Sequence, residues 1–458
     1  MQIQDALAEL STLLGQRLTR SKSDLELHGR SETYFPLTPP DAVAYPETTA
    51  EVAELVRICA RHRVPVVGWG TGTSLEGQAQ AVQGGIVVDF ARMNKLIEVR
   101  QGDMDVTVQP GLTREELNEE LRATGLFFPV DPGANASLGG MAMTRASGTT
   151  AVRYGTMRDN VMGLEVVLAD GRIIRTGSRA RKSSAGYDLT GLMVGSEGTL
   201  GLVTELTLKL HGQPEAITAA ICAFDTVDDA VHAVIDTIQM GLAMARIELL
   251  DTETVKAFNA YAGAEMPECP HLMVEFHGSK TGVAEMAETF SDIITDHDGH
   301  GFNWATKPED RHALWTMRHN GAYAIYAARP GWKSLVTDVC VPISRLADAV
   351  NETAADLAAS GLFGPILGHV GDGNFHSVIM FDAEDKAQFT RVKEASNRMV
   401  ERALAMGGTV TGEHGIGMGK LNYMTSEHGD GWQVMGAIKQ ALDPLNIMNP
   451  GKMVPPRN

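Results

Sequence analysis

Gly68-Trp69-Gly70-Thr71-Gly72-Thr73-Ser74 follows a strand-like Pro65-Val66-Val67 in this 458-residue chain. Glycines at such a place let backbone approach a ligand and aim successive N–H groups at an anion. Thr71, Thr73 and Ser74 add hydroxyl donors. No Gly-Lys-Ser/Thr closes the loop, which excludes a Walker A site. The dinucleotide fingerprint is excluded too, because Thr73 stands where the third glycine belongs and no helical pattern follows directly. Taken alone, the stretch reads equally well as a surface turn or as a pyrophosphate site.

Two further segments shift that balance. One is Asp131-Pro132-Gly133-Ala134-Asn135-Ala136-Ser137-Leu138-Gly139-Gly140, continuing to Thr144-Arg145-Ala146-Ser147-Gly148. The other is Gly195-Ser196-Glu197-Gly198-Thr199-Leu200-Gly201-Leu202-Val203. Three long runs of small residues are better explained by a large flat ligand against bare backbone than by three unrelated turns.

Around them the periodicity predicts an amphipathic helix at 3–15 and a Pro-rich loop from Pro36 to Pro46. A helix follows from the capping-box-like Thr48-Thr49-Ala50-Glu51 to about Arg61. Short strands are expected at 86–89, 97–100, 105–109, 163–168 and 202–210, with a helix at 113–124. Many strands follow one another without a helix, which reads as α+β rather than a doubly wound parallel sheet. Composition shifts near Pro214. Beyond it the pattern predicts helices at 226–241, 281–297, 344–360, 384–406 and 429–442. Strands are predicted near 245–250, 272–277, 335–341 and 364–370, forming a second α+β domain with an antiparallel sheet.

The length calls for two or three domains. Apolar residues make up 43% and charged residues 21%, as in folded soluble proteins, and the formal net charge is −18. That charge argues against nucleic-acid binding and against a broad contact with anionic lipid. An anionic substrate would need a local cation. Cys59, Cys222, Cys269 and Cys340 are far apart with no CxxC pair, so buried reduced thiols are expected. The N-terminus carries Asp5 and Glu9 and no apolar core, unlike a signal or transit peptide, and no apolar run approaches membrane-spanning length. The expected compartment is the cytoplasm, with attachment to the surface of the inner membrane left open.

The glycine-rich segments resemble the FAD-binding domain of the vanillyl-alcohol-oxidase and p-cresol-methylhydroxylase superfamily over about residues 36–213. The first is similar to its pyrophosphate loop, the second to its isoalloxazine-side loop and the third to its strand-entry motif. The resemblance implies FAD held largely by backbone N–H groups. The residues it implicates are Gly68, Trp69, Gly70, Thr71, Gly72, Thr73, Ser74, Gly77, Pro132, Gly133, Ala136, Ser137, Gly139, Gly140, Thr144, Ser147, Gly148, Glu197, Gly201, Val203 and Asn449. Some members attach FAD covalently through a histidine near the first loop. No histidine occurs here between His62 and His211, so non-covalent FAD is expected.

The sharpest local signal is Gly368-His369-Val370-Gly371-Asp372-Gly373-Asn374-Phe375-His376, with Pro365-Ile366-Leu367 before it and Val378-Ile379-Met380 after. Asp-Gly between apolar runs predicts a two-residue hairpin. With Asp372 and Gly373 at the turn, His369 opposes His376, and opposed Cβ atoms lie roughly 5 Å apart. An ordinary pair of strand histidines is the competing reading. Gly412-Glu413-His414-Gly415-Ile416-Gly417 supplies an acid and a histidine on a loop. Two histidines and a carboxylate suit zinc best, with manganese or iron as alternatives, and leave coordination positions open for substrate.

These motifs resemble the C-terminal domain of the D-lactate dehydrogenase branch of that superfamily. Arg329-Pro330-Gly331-Trp332-Lys333, Thr337-Asp338-Val339-Cys340-Val341-Pro342 and Asn446-Ile447-Met448-Asn449-Pro450-Gly451-Lys452 are part of the same resemblance. It implies that His369, His376 and Glu413 bind one divalent metal, that His414 is the base, and that Arg318 grips the substrate carboxylate. The expected reaction is FAD- and metal-dependent oxidation of a small D-2-hydroxy acid, with hydride transfer to the flavin. The flavin subunit of a glycolate oxidase, a D-2-hydroxyglutarate dehydrogenase and a non-redox flavin transferase are the alternatives. Val378 stands where the hydroxyglutarate branch has Asn, which favours D-lactate or a similar apolar acid. Arg145 stands where many relatives have Asn. The partners implied are the 2-hydroxy acid and an electron acceptor, whether quinone, cytochrome or electron-transfer flavoprotein. A homodimer is allowed but not signalled.

The fold expected is α+β. It comprises an N-terminal helical segment (1–35), a two-subdomain FAD-binding domain (36–213), a substrate and metal-binding cap with an antiparallel sheet (214–425), and a C-terminal helical segment returning to the FAD domain (426–458).

Overall fold

Parallel strands need a crossover, and residues 42–69 supply one. Ala42–Ala44 leads through helix Thr49–His62 to Val66–Trp69, and both strands pair in parallel with Ile86–Asp89. Thr48 caps the helix by accepting from the Glu51 N–H at 3.2 Å. The side chain of Glu51 bonds instead to the Glu47 N–H and Arg17. Leu18–Thr19 completes this sheet as an antiparallel edge. Helices Gln2–Leu14 and Thr49–His62 bury Leu10, Leu14, Leu55 and Val56 against Val66, Ile86 and Val88. The structure, a computed structural model, describes residues 2–456.

Leu202–Lys209 is buried at Leu202 and Val203 and from Thr204 on alternates buried and half-buried residues, as a strand covered mainly on one face does. It lies at the centre of a second, antiparallel sheet in the order Leu96–Arg100, Asp105–Val108, Leu202–Lys209, Val161–Val167, Ile173–Gly177. Its core gathers Val106, Val108, Leu164, Val166 and Leu206 with Leu138 and Met141 from helix Leu138–Thr144. That helix lies inside the second glycine-rich segment, which is therefore not loop throughout. The same compact unit takes in Glu413–Asn458. There Val66 N–H donates to Ile447 O and Asn449 N–H to Val66 O, so the tail lies beside a strand near the chain's beginning.

The second unit comprises Gly148–Tyr154 and Pro214–Gly412. The sequence reading carried this domain on to 425 and did not set Gly148–Tyr154 apart. Its sheet runs His300–Ala305, Ala216–Ala223, His271–Gly278, Met244–Leu250, Ile366–Gly368, Asn374–Phe381, Lys333–Val336, with Val339–Cys340 also paired to Asn374–Phe381. Each of these strands pairs antiparallel with its neighbours. Phe276 meets Phe290 of helix Lys280–Asp296 on one face. Alternation sends Met273 to the other, where it packs with Phe258, Trp315, Leu250, Leu367 and Val378. Helices Thr252–Ala262, Pro308–His319 and Gly321–Ala327 contribute to that face. The α+β expectation is met. Cys59 and Cys222 are buried, but Cys269 and Cys340 are only partly so; all four are free thiols.

Candidate active site

Met244–Leu250 is a mostly apolar strand interrupted by half-buried Arg246 and by Glu248, which is fully buried. A charge there survives only if paired and hydrogen-bonded. Its Oε1 accepts from Nδ1 of His369 at 2.7 Å; its Oε2 accepts from Nη2 and Nε of Arg318 at 2.6 and 2.9 Å. Burial pushes the carboxyl up, but the charges and hydrogen bonds of His369 and Arg318 outweigh it and hold the group below its ordinary value. Glu248 escaped the sequence reading because its partners lie 70 and 121 residues away. The only signal was a carboxylate in an apolar run.

His376 lies on Asn374–Phe381 and donates from Nδ1 to Thr337 O at 3.2 Å, with an oxygen of Asp338 3.6 Å from the same nitrogen. Its ring centroid is 5.5 Å from that of His369, with the planes at 81°. A carboxylate and a carbonyl can only accept, so Nδ1 carries the proton in both rings and each lone pair resides on Nε2. A carboxylate or carbonyl behind an imidazole is what orients metal-binding histidines.

The two rings meet, but not through the expected hairpin. The ladder pairs Leu367 with His376 and Ile366 with Ser377, a register two residues away from the predicted one. Residues Val370–Asp372 form a 3-10 turn with Gly373 in the left-handed region (φ 77°). The loop is therefore longer than two residues, and His369 leaves the ladder at its start. Gly368 makes this possible: a Cβ there would lie 2.5 Å from Phe375 Cα on the facing strand.

Asp338, in the Thr337–Pro342 motif, is buried. It accepts from Asn374 Nδ2 (2.7 Å), Thr411 Oγ1 (2.5 Å) and Gly412 N (2.9 Å). It thereby ties the last residues of this unit to the strand carrying His376. Glu413 and His414 follow Gly412 directly in the chain and belong to the other unit.

In that other unit the glycine-rich segments converge. A Cβ on Gly70 would stand 2.2 Å from Ser137 Oγ, so the first segment lies directly on the N-cap of helix Leu138–Thr144. A Cβ on Gly139 would strike Pro110, one on Gly201 Val166, and one on Gly77 Met418. Gly72, at φ 74°, faces the Trp69 ring, which packs 4.7 Å from buried His28. Gly68 lies in strand Val66–Trp69, and Thr71 and Thr73 share a hydroxyl contact at 3.3 Å. Ser74, Pro132, Ala136 and Ser147 are half-buried, Gly133 is exposed, and Gly148 belongs to the second unit.

Four residues expected at a cofactor have their side chains engaged elsewhere. Thr144 Oγ1 donates to Gly140 O, and Val203 is buried in the apolar core. The Glu197 carboxylate accepts from Ile416 N and Gly417 N at 2.7 and 2.8 Å. Asn449 Nδ2 donates to Gln78 O and Glu197 O, while its Oδ1 accepts from buried Lys452. Glu197 and Asn449 thus hold separate segments together, and what these four residues can offer a ligand is backbone. Burial raises the Glu197 carboxyl to about 7 against the pull of those two N–H donors, Gln78 and Lys452. Burial lowers the Lys452 ammonium to about 8 against the opposing pull of Glu197. Arg145, in the left-handed region at φ 56° where Gly or Asn sits more easily, turns its guanidinium onto Val194 O.

Residues 213–453 match the family profile described as FAD linked oxidases, C-terminal domain, and residues 40–177 match an FAD binding domain. The chain is 50% identical to a probable mitochondrial D-lactate dehydrogenase of Danio rerio, covering 94% of this chain and 87% of that protein. It is 44% identical to a mitochondrial D-lactate dehydrogenase [cytochrome] of Arabidopsis thaliana, covering 99% and 80%. Among solved structures, p-cresol methylhydroxylase with substrate bound shares the fold at a TM-score of 0.83 and 19% identity, over 99% of this chain and 96% of that one. Among the described residues no helix is long and apolar enough to cross a membrane.

Proposed function

The chain belongs to the FAD linked oxidases, and from that premise we propose that it oxidises D-lactate, or an apolar D-2-hydroxy acid of similar size, to the 2-oxo acid. One observation carries the reading beyond the family. Glu248 holds an imidazole of metal-binding tautomer and a guanidinium on one carboxylate, with a second such imidazole beside the first.

FAD, when bound, supplies the two-electron acceptor for the Cα hydride. The glycine-rich segments fit it in that Gly70, Gly139 and Gly201 let them pack directly against Ser137, Pro110 and Val166, and residues 40–177 match an FAD binding domain. His369, His376 and Glu413 would hold one divalent ion, and the two Nδ1-protonated rings fit that role. The donor set favours zinc over manganese or iron, and such an ion lowers the pKa of a bound hydroxyl. Arg318 binds the substrate carboxylate. Its Nε/Nη2 edge is occupied by Glu248, so the outer Nη1/Nη2 edge makes the two hydrogen bonds. His414 takes the hydroxyl proton as the C–H bond breaks. Buried Val378, packed in an apolar cluster two residues past His376, offers a second carboxylate nothing to pair with. The names of the relatives support a cytochrome as the eventual electron acceptor, with a quinone or an electron-transfer flavoprotein as alternatives.

Anaerobic mixing with D- and L-2-hydroxy acids tests this directly. D-lactate should bleach the flavin absorbance, and L-lactate and D-2-hydroxyglutarate should leave it much less changed. Bleaching by none of the panel would end the proposal. The glycine-rich segments make their own prediction. Gly70→Ala must displace Ser137, at an overpacking cost of about 1–3 kcal/mol. FAD affinity, read by flavin fluorescence on dilution, should fall roughly 10- to 100-fold.

A further inference from the structure

We infer that Glu248 is a positioning residue that sets His369 and Arg318 together, so that metal affinity and substrate-carboxylate recognition depend on one buried carboxylate. The inference rests on the reading of His369 as a metal ligand and Arg318 as the cation for the substrate.

Three elements meet at this side chain. Glu248 comes from strand Met244–Leu250, which is hydrogen-bonded to His271–Gly278 on one side and Ile366–Gly368 on the other. Its position is therefore fixed by backbone on both flanks. Arg318 comes from helix Pro308–His319, and His369 from the end of strand Ile366–Gly368. The helix is fastened a second time one turn earlier, where Trp315 Nε1 donates to Glu275 Oε2 at 2.6 Å. Arg246 stacks over that indole at 4.5 Å. The two oxygens of Glu248 have separate tasks: Oε1 takes only His369, and Oε2 takes both near nitrogens of Arg318. The first bond holds the His369 proton on Nδ1. The second fixes the roll of the guanidinium and decides which of its edges faces outward.

A glutamine of the same shape cannot do both. It has one acceptor oxygen and one amide nitrogen, whereas both partners are donors. One of the two contacts then sets donor against donor, the other exchanges a charge-assisted bond for a weaker neutral one, and the imidazole is free to move its proton to Nε2, which removes a metal lone pair. Aspartate keeps the charge and both acceptors but draws them back by one methylene.

The test uses the purified FAD-loaded enzyme and its Glu248→Gln and Glu248→Asp variants. Zinc affinity is measured by chelator competition, and KM for D-lactate is measured at saturating zinc with a dye acceptor. Glu248→Gln should lose zinc affinity by about 10- to 100-fold and raise KM, while flavin content and the thermal melt stay near wild type. Glu248→Asp should recover part of both losses. Should Glu248→Gln not fold, Glu248→Asp carries the test, with smaller losses in both readouts. Wild-type zinc affinity and KM in the variants overturn the inference, as does a change in only one of the two. Equal loss of flavin and cooperative melting in both variants also overturns it, because the residue then serves the fold alone. The underlying reading fails separately: the unaltered enzyme would bind no zinc and His369→Ala would keep full turnover.

Discussion

His369→Ala should yield a protein that keeps its FAD, binds no catalytic metal and turns over at least about a thousandfold more slowly, equivalent to roughly 4 kcal/mol of lost barrier reduction. The ring does two things at once: it presents a lone pair on Nε2 and donates Nδ1–H to Glu248. Alanine removes the first outright. The second loss is partly buffered, since Glu248 retains Nε and Nη2 of Arg318 and is not left as an unpaired buried charge. The melt should therefore shift little, and the flavin, held by a different unit, should keep its spectrum. Metal analysis, flavin absorbance and steady-state rates with a dye acceptor separate these effects. Turnover that survives loss of the metal would refute the metal-assisted reading.

The largest stability effect is expected in the other unit, at Lys439. This side chain of helix Asp430–Leu442 is only 2% exposed, and its ammonium donates to Thr199 O, Met448 O and a carboxylate oxygen of Asp443. Three donors meet three acceptors drawn from two separate stretches of chain. Lys439→Met removes them all and leaves the Asp443 carboxylate, in a site with no exposure, without its cation though still bonded to the Ile447 and Met448 N–H groups. Breaking one side of a buried pair costs about 3–5 kcal/mol, which should lower the melting temperature by roughly 6–20 °C. Adding Asp443→Asn removes the stranded charge and keeps an acceptor for Met448 N–H. The double variant should therefore regain part of the loss in calorimetry, and failure to regain any would put the cost in the orphaned carbonyls instead.

Some of this was readable before any coordinates. Leu202–Lys209 carries, from Thr204 on, the period-two burial of a strand covered mainly on one face, Ile86–Asp89 is buried throughout, and helices after Thr48, Thr113 and Thr226 carry capping hydroxyls. Strand Ala216–Ala223 was missed because Ala-Ile-Thr-Ala-Ala-Ile-Cys-Ala has little β-branching and reads poorly as sheet. Its flanking strands His271–Gly278 and His300–Ala305 decide its state. Helix Thr252–Ala262, which supplies Phe258, was also missed, whereas the helix expected around Arg318 is present as Pro308–His319 and supplies Trp315 as well.

At the site, local spacing was enough to pair His369 with His376, but the register was misjudged because Asp-Gly was read as the whole turn. Glu248 and the bracing roles of Glu197, Asn449 and Lys452 depend on neighbours distant in sequence, which no local pattern encodes. The functional residues named in advance are those whose chemistry lies in short motifs. Those found only in three dimensions are the ones that hold the first group in place.

The nucleotide-binding unit is assembled from both ends of the polypeptide, with Ile447–Asn449 laid beside Val66. A ribosome making this chain will have delivered all of Pro214–Gly412 before Lys439, Asn449 and Lys452 emerge. The later-encoded unit can thus mature first, while the earlier one waits for its closing piece. Closure of the first unit accordingly waits for Lys439, Asn449 and Lys452, and a chain cut before them would lack that brace.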